Sequence, residues 1–147
     1  MDTLRIGVIG TGSVVREIYR HLYFRSEYAP GLRIVAAADI NAEALATFAD
    51  EAGLPDGRRF DDYREMLDAV ELDAVQINTP DSLHREPAVI ALDRGLDVLV
   101  PKPLADTVAD AHAMIAAAER AGRLIGVDFH KRDDPRITEA AARYASG

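Results

Sequence analysis

Four short stretches of this 147-residue chain hold residue types whose spacing could do chemistry. The first is Gly10-Thr11-Gly12-Ser13-Val14-Val15, which follows the apolar run Leu4–Ile9. Gly10 permits a tight turn off a strand, and Gly12 lets the backbone approach a pyrophosphate with no Cβ in the way. A helix starting behind them aims free N–H groups, and about half a positive charge, at the phosphates. Thr11, Ser13 and Val14 complete this turn as candidate cofactor contacts. The third glycine position of such a turn holds Val15, so the close helix–strand contact must be made differently. A Gly-x-Gly alone also fits an ordinary strand–turn–helix. Its place at the opening of a βαβ unit is what favours a dinucleotide.

The second is Asp39, with Ile40 beside it, at the end of the next apolar run. Asp39 lies 27 residues after Gly12, beyond the usual spacing of about 20, which implies a long first helix. A carboxylate there can accept hydrogen bonds from the adenosine ribose hydroxyls. It can also cap the following helix, and the two roles can coexist. The third is Asn78-Thr79-Pro80-Asp81-Ser82-Leu83-His84, again at the carboxyl end of an apolar run. Such ends line the ligand crevice in open α/β sheets. Asn78, Thr79 and Pro80 are therefore candidates for the second ribose; His84 suits the start of a helix better than acid–base work and is a further candidate cofactor contact. The fourth is Pro101-Lys102-Pro103, in which two prolines fix the backbone around one lysine. At a strand's carboxyl end that ammonium could hydrogen-bond a ribose hydroxyl or a substrate oxygen; a surface lysine in a proline-rich turn is the alternative.

The elements that position these groups alternate. Strands are expected over 4–9, 32–38, 74–78, 97–100 and 124–129. Helices are expected from Ser13 to about Tyr28, with Val14, Ile18, Leu22 and Tyr19 inward, from Ala42 to Ala52 behind an Asn41 cap, over Asp62–Val70 behind an Asp61 cap, over His84–Arg94, from a Thr107 cap to Ala121, and over Pro135–Tyr144. Short Val- and Ile-rich strands separated by helices predict a parallel sheet covered on both faces. Right-handed crossovers make it doubly wound, an α/β fold of the Rossmann type.

Composition narrows the classes further. Apolar residues make up 48% and charged residues 29%, enough for one folded core and against disorder. The formal charge of −8 argues against nucleic acid or an anionic membrane as a partner. A dinucleotide can still be held, by local backbone N–H groups. The absence of cysteine excludes disulfides, Cys-ligated zinc and a thiol nucleophile; no metal site is expected. No apolar run approaches 18 residues, and the expected location is cytoplasmic.

Taken in order, Ile6-Gly7-Val8-Ile9-Gly10-Thr11-Gly12, Ala38-Asp39, Phe60 to Leu67, Asn78 to His84 and Lys102-Pro103-Leu104 resemble the N-terminal domain of the Gfo/Idh/MocA oxidoreductases. These include glucose–fructose oxidoreductase and inositol dehydrogenase. The resemblance covers nearly the whole chain, to about Pro135. It implies NAD as cofactor, with NADP the poorer fit, and hydride transfer to or from a CH–OH group of a sugar, cyclitol or related polyol. It gives Lys102 the family lysine's place beside the nicotinamide ribose and the substrate. Where the family has Glu before that lysine, this chain has Pro101, so no carboxylate at that position pairs with Lys102. The implied division is a dinucleotide-binding domain over 1–130 and, over 131–147, the start of a crossover toward the family's substrate domain. That second domain, through which any homo-oligomer would form, has no room after residue 130, and the chain by itself is expected to be inactive. A non-catalytic nucleotide-sensing or regulatory protein on the same fold is the rival reading.

Overall fold

The five apolar runs form parallel strands, a two-residue strand joins them at one edge, and the polar and Ala-rich stretches between them form the helices. The computed structural model describes residues 3–24, 30–129, 131–132 and 134–146, with the Leu22 side chain excepted. The strands are β1 (Leu4–Ile9), β2 (Leu32–Ala38), β3 (Arg59–Phe60), β4 (Ala74–Ile77), β5 (Asp97–Pro101) and β6 (Ile125–Asp128). The helices are α1 (a π-helical turn, Val15–Tyr19, followed by Arg20–Tyr23), α2 (Ala42–Glu51), α3 (Tyr63–Ala69), α4 (Arg85–Asp93), α5 (Val108–Ala121) and α6 (Pro135–Ala145). The sheet order is β3-β2-β1-β4-β5-β6 with parallel pairing throughout. The chain therefore winds outward from β1 and then returns to β4 on its other side. That reversal opens a crevice between the carboxyl ends of β1 and β4.

Each face of the sheet has its own core. Ile6, Val8 and Ile34 pack with Val15 and Tyr19 of α1 and Leu45, Phe48 and Ala49 of α2. On the other face Ile9, Val75, Ile77, Val98 and Val100 meet Met66, Leu92, Met114 and Ala117 from α3, α4 and α5. The caps at Asn41 and Thr107 form as the sequence suggests, through hydrogen bonds to Glu43 and Ala44 N–H and to Asp110 N–H. Gly122 closes α5 in the left-handed region, at φ 62°.

Three local expectations are corrected. The cap of α3 is Asp62, whose carboxylate accepts from Arg64 N–H at 2.8 Å, and not Asp61. The inward residues of α1 are Val15 and Tyr19, while Val14 and Ile18 are half-buried. A π turn begins at Val15 itself, the residue in place of the third glycine. Strand β3 was not foreseen, because two residues carry no periodicity. The helix ends at Tyr23 with Phe24 as its C-cap, short of the expected Tyr28; residues 25–29 lie outside the described residues.

One polar residue interrupts β1, and the fold uses it. Asp73, just before β4, accepts from the Arg5 backbone N–H at 2.7 Å and from Nε and Nη2 of the Arg5 side chain at 3.1 and 3.0 Å. These bonds hold the Asp73 carboxyl down at about 2. A carboxyl whose pKa is depressed on folding stabilises the fold above its unfolded value, and that contribution fades as pH falls through the folded one. Asp73→Asn should therefore lower the melting temperature at pH 5 and above, with the gap to wild type closing between about pH 4 and 2. Melting curves across that range check it; a gap that does not depend on pH would show that the ion pair is not its source.

Candidate active site

The crevice at the strand ends is a cleft of about 1150 Å³, and the glycine turn forms its floor. Gly10 N–H donates to Ala38 C=O at 2.8 Å, and Asn78 N–H donates to Ile9 C=O at 2.7 Å. The Asn78 side chain reaches back to Gly10 C=O at 3.3 Å. The turn is thus stitched to both neighbouring strands. Gly10 sits at φ +87°, and a Cβ there would lie 2.9 Å from the backbone of Asn78. Gly12 differs: a Cβ on it would meet no protein atom within 4 Å. The fold requires glycine at 10, but nothing in the protein requires it at 12. An open Cβ position on the floor of a cleft suits a ligand that must touch the backbone. Behind it, the first hydrogen bond of the helix runs from Arg16 N–H to Gly12 C=O. The N–H groups of its opening turn therefore have no acceptor within the helix.

Gly10, Gly12, Ser13, Val14, Asp39, Ile40, Asn78, Thr79 and Pro80 all line this cleft. Ile40 is 94% exposed, an apolar side chain presented to the opening. The Thr79 hydroxyl is buried and has no partner among the described residues. Asp39 does more than the sequence suggested. Its Oδ2 accepts from Thr11 N–H at 2.6 Å and from Thr11 Oγ1 at 2.9 Å, and its Oδ1 accepts from Asn41 N–H at 2.8 Å. It anchors the glycine turn and braces the start of α2 while standing at the cleft.

The other three candidates stand elsewhere. Thr11 is fully buried against Asp39, so its side chain supports the turn and does not reach the cleft. His84 is also fully buried. Its Nε2 lies 3.0 Å from Thr79 C=O and its Nδ1 3.2 Å from Leu104 C=O. It lashes the loop after β4 to the loop after β5, as a brace rather than a cofactor contact. Lys102 is exposed on that second loop, outside the cleft lining. Its backbone N–H donates to Asp128 C=O at 3.1 Å, which fixes the lysine's backbone against the end of β6. Pro101, in the family's Glu position, is buried as the last residue of β5.

Sequence reasoning missed several residues. Asp61, Tyr63, Arg85 and Asp110 line the cleft, and their places at helix starts and turns did not mark them as cleft residues. Arg85 and Asp110 pair at 3.2 Å. Tyr19 donates to Asp128 Oδ2 at 2.6 Å, tying α1 to the end of β6. Burial, and then that bond, push the Tyr19 phenol well above its ordinary pKa, so it stays a donor. Five carboxylates (Asp39, Asp61, Asp81, Glu86 and Asp110) and one guanidinium, that of Arg85, line the cleft. The side-chain charge lining the cleft is therefore net negative, which suits an anion held by the N–H groups of the turn and disfavours extra negative charge elsewhere.

Residues 4–129 match the Gfo/Idh/MocA oxidoreductase family with its NAD-binding Rossmann fold. The chain is 36% identical to an inositol 2-dehydrogenase of Paracoccus denitrificans, covering 90% of this chain and 39% of that protein. It is 34% identical to a 1,5-anhydro-D-fructose reductase of Ensifer adhaerens, covering 88% and 37%. An Agrobacterium radiobacter oxidoreductase, solved with NAD+, L-tartaric acid and magnesium, superposes with a TM-score of 0.82 at 26% identity, over 98% of this chain and 40% of that one. The chain thus spans about two-fifths of the length of the relatives it matches. Among the described residues, no helix is long and apolar enough to cross a membrane. The doubly wound sheet, the glycine turn at its switch point and the family match together make this chain a member of the Gfo/Idh/MocA oxidoreductases, within their NAD-binding Rossmann domain.

Proposed function

We propose that this chain holds NAD for a dehydrogenase that moves a hydride between the nicotinamide and a CH–OH carbon of a sugar, cyclitol or related polyol. The observation that carries this reading is the contrast between the two glycines: Gly10 is required by the protein's own backbone, whereas the Cβ position of Gly12 is open to the cleft. The residues present fit the cofactor. N–H groups of Gly12, Ser13 and Val14 would hold the pyrophosphate, Asp39 an adenosine ribose hydroxyl, and Ile40 the adenine face. Asn78, Thr79 and Pro80 would border the second ribose, where the buried Thr79 hydroxyl still lacks a partner. When bound, the nicotinamide supplies the hydride acceptor. Lys102 would donate a hydrogen bond to the reacting hydroxyl as its proton leaves. The base would come from the substrate-binding part that the longer relatives carry, along with most of the polyol contacts and any oligomer interface. A cytoplasmic location accompanies this reading.

Titration with NAD and with NADP tests it. Two unit charges about 5 Å apart at an effective dielectric of about 20 repel by roughly 3 kcal/mol. Screening reduces this, so NAD should bind roughly ten- to a hundredfold tighter than NADP. Equal affinities would remove Asp39 from the ribose.

A further inference from the structure

Asp39 has less to offer a ribose than its place at the end of β2 suggests. A carboxylate has about four acceptor sites. The two Thr11 donors occupy Oδ2, and the Asn41 N–H occupies part of Oδ1. About one site remains, on Oδ1, yet an adenosine ribose presents two adjacent hydroxyls. The next acceptor along the sheet is Asp61. Ala38 pairs with Phe60 in the parallel register, and Asp39 N–H donates to Phe60 C=O at 3.1 Å. Asp61 thus stands one residue past the end of β3, as Asp39 does past the end of β2. Neighbouring strands of a sheet lie about 4.8 Å apart. Asp61 is exposed and lines the same cleft. The capping task beside it belongs to Asp62, and the Asp61 carboxylate has no hydrogen bond or ion pair among the described residues.

We propose that Asp61 is a second specificity-determining residue, a carboxylate that reads the adenosine-side diol beside Asp39 and repels a 2′-phosphate there. The site then selects nucleotides with a free 2′,3′-diol by two carboxylates on neighbouring strand ends. This rests on the cleft being the NAD site, and the test separates the two claims.

Dissociation constants for NAD and NADP should be measured on the wild type and on Asp61→Asn, Asp39→Asn and Glu119→Gln, at about 0.01 M and 0.15 M salt, where the Debye length is about 30 and 8 Å. Glu119 is an exposed acid on α5, outside the cleft lining, and controls for net charge. Asp61→Asn should tighten NADP about three- to tenfold and move NAD less than about twofold, with the larger gain at low salt. Glu119→Gln should move neither. If Asp39→Asn narrows the preference while Asp61→Asn does not, Asp61 is overturned and the cofactor reading stands. An equal shift with Glu119→Gln would reduce the effect to net charge and also overturn it. A folded wild type that binds neither nucleotide would remove the cofactor reading, and Asp61 with it.

Discussion

Replacing Lys102 with alanine should lower kcat by about 10² to 10⁴ in a full-length dehydrogenase built on this domain, the range for losing a group that assists proton transfer. The lysine is exposed and held at a strand's carboxyl end. The cross-strand bond to Asp128 C=O fixes its backbone, and the His84 brace to Leu104 C=O holds its loop beside Thr79. NAD affinity should fall far less, since the glycine turn and Asp39 lie on other strand ends. The melting temperature should stay nearly unchanged, because an exposed side chain contributes little to the core. Unaltered kcat would return Lys102 to a surface turn. A large loss of melting temperature would make it a structural lysine.

The two glycines should separate folding from binding. Gly10→Ala puts a Cβ 2.9 Å from backbone atoms of Asn78, at a positive φ. A clash with backbone together with left-handed strain should cost about 2–4 kcal/mol, a fall of roughly 5–15 °C in melting temperature for a chain of this size. Gly12→Ala meets no protein atom, so it should melt within about 2 °C of wild type. It should nonetheless weaken NAD at least about tenfold, because the new methyl stands where the pyrophosphate must approach the backbone. Thermal melts and NAD titrations on the two variants check both halves. If Gly12→Ala binds NAD as well as wild type, the pyrophosphate does not lie on this turn.

Much of this arrangement was legible in the sequence because its causes are local. Alternating Val- and Ile-rich runs announce β1, β2, β4, β5 and β6, and Asn41, Thr107 and Gly122 mark helix ends by their own chemistry. The glycine turn, Asp39 and Asn78–Pro80 fall together because they occupy the carboxyl ends of adjacent strands, which the winding of the chain brings to one cleft. What could not be read depends on distant partners. Nothing local distinguishes Asp61 from Asp62 as a cap; that is decided by which backbone N–H each one meets. Arg5 looks misplaced in a buried strand until Asp73, 68 residues away, closes on it. The roles of Thr11 and His84 follow from burial against Asp39, Thr79 and Leu104, and their sequence motifs suggested a ligand instead. The three tasks shared by Asp39 are likewise visible only once Thr11 and Asn41 are folded around it.

Calorimetric titration of the folded 147-residue chain with NAD reads out whether the glycine turn holds the cofactor. It should show saturable binding of one NAD per chain, abolished or weakened at least about tenfold by Gly12→Ala, while this chain alone oxidises no polyol. No heat of binding at millimolar NAD, from a chain whose melting curve shows it folded, would contradict it.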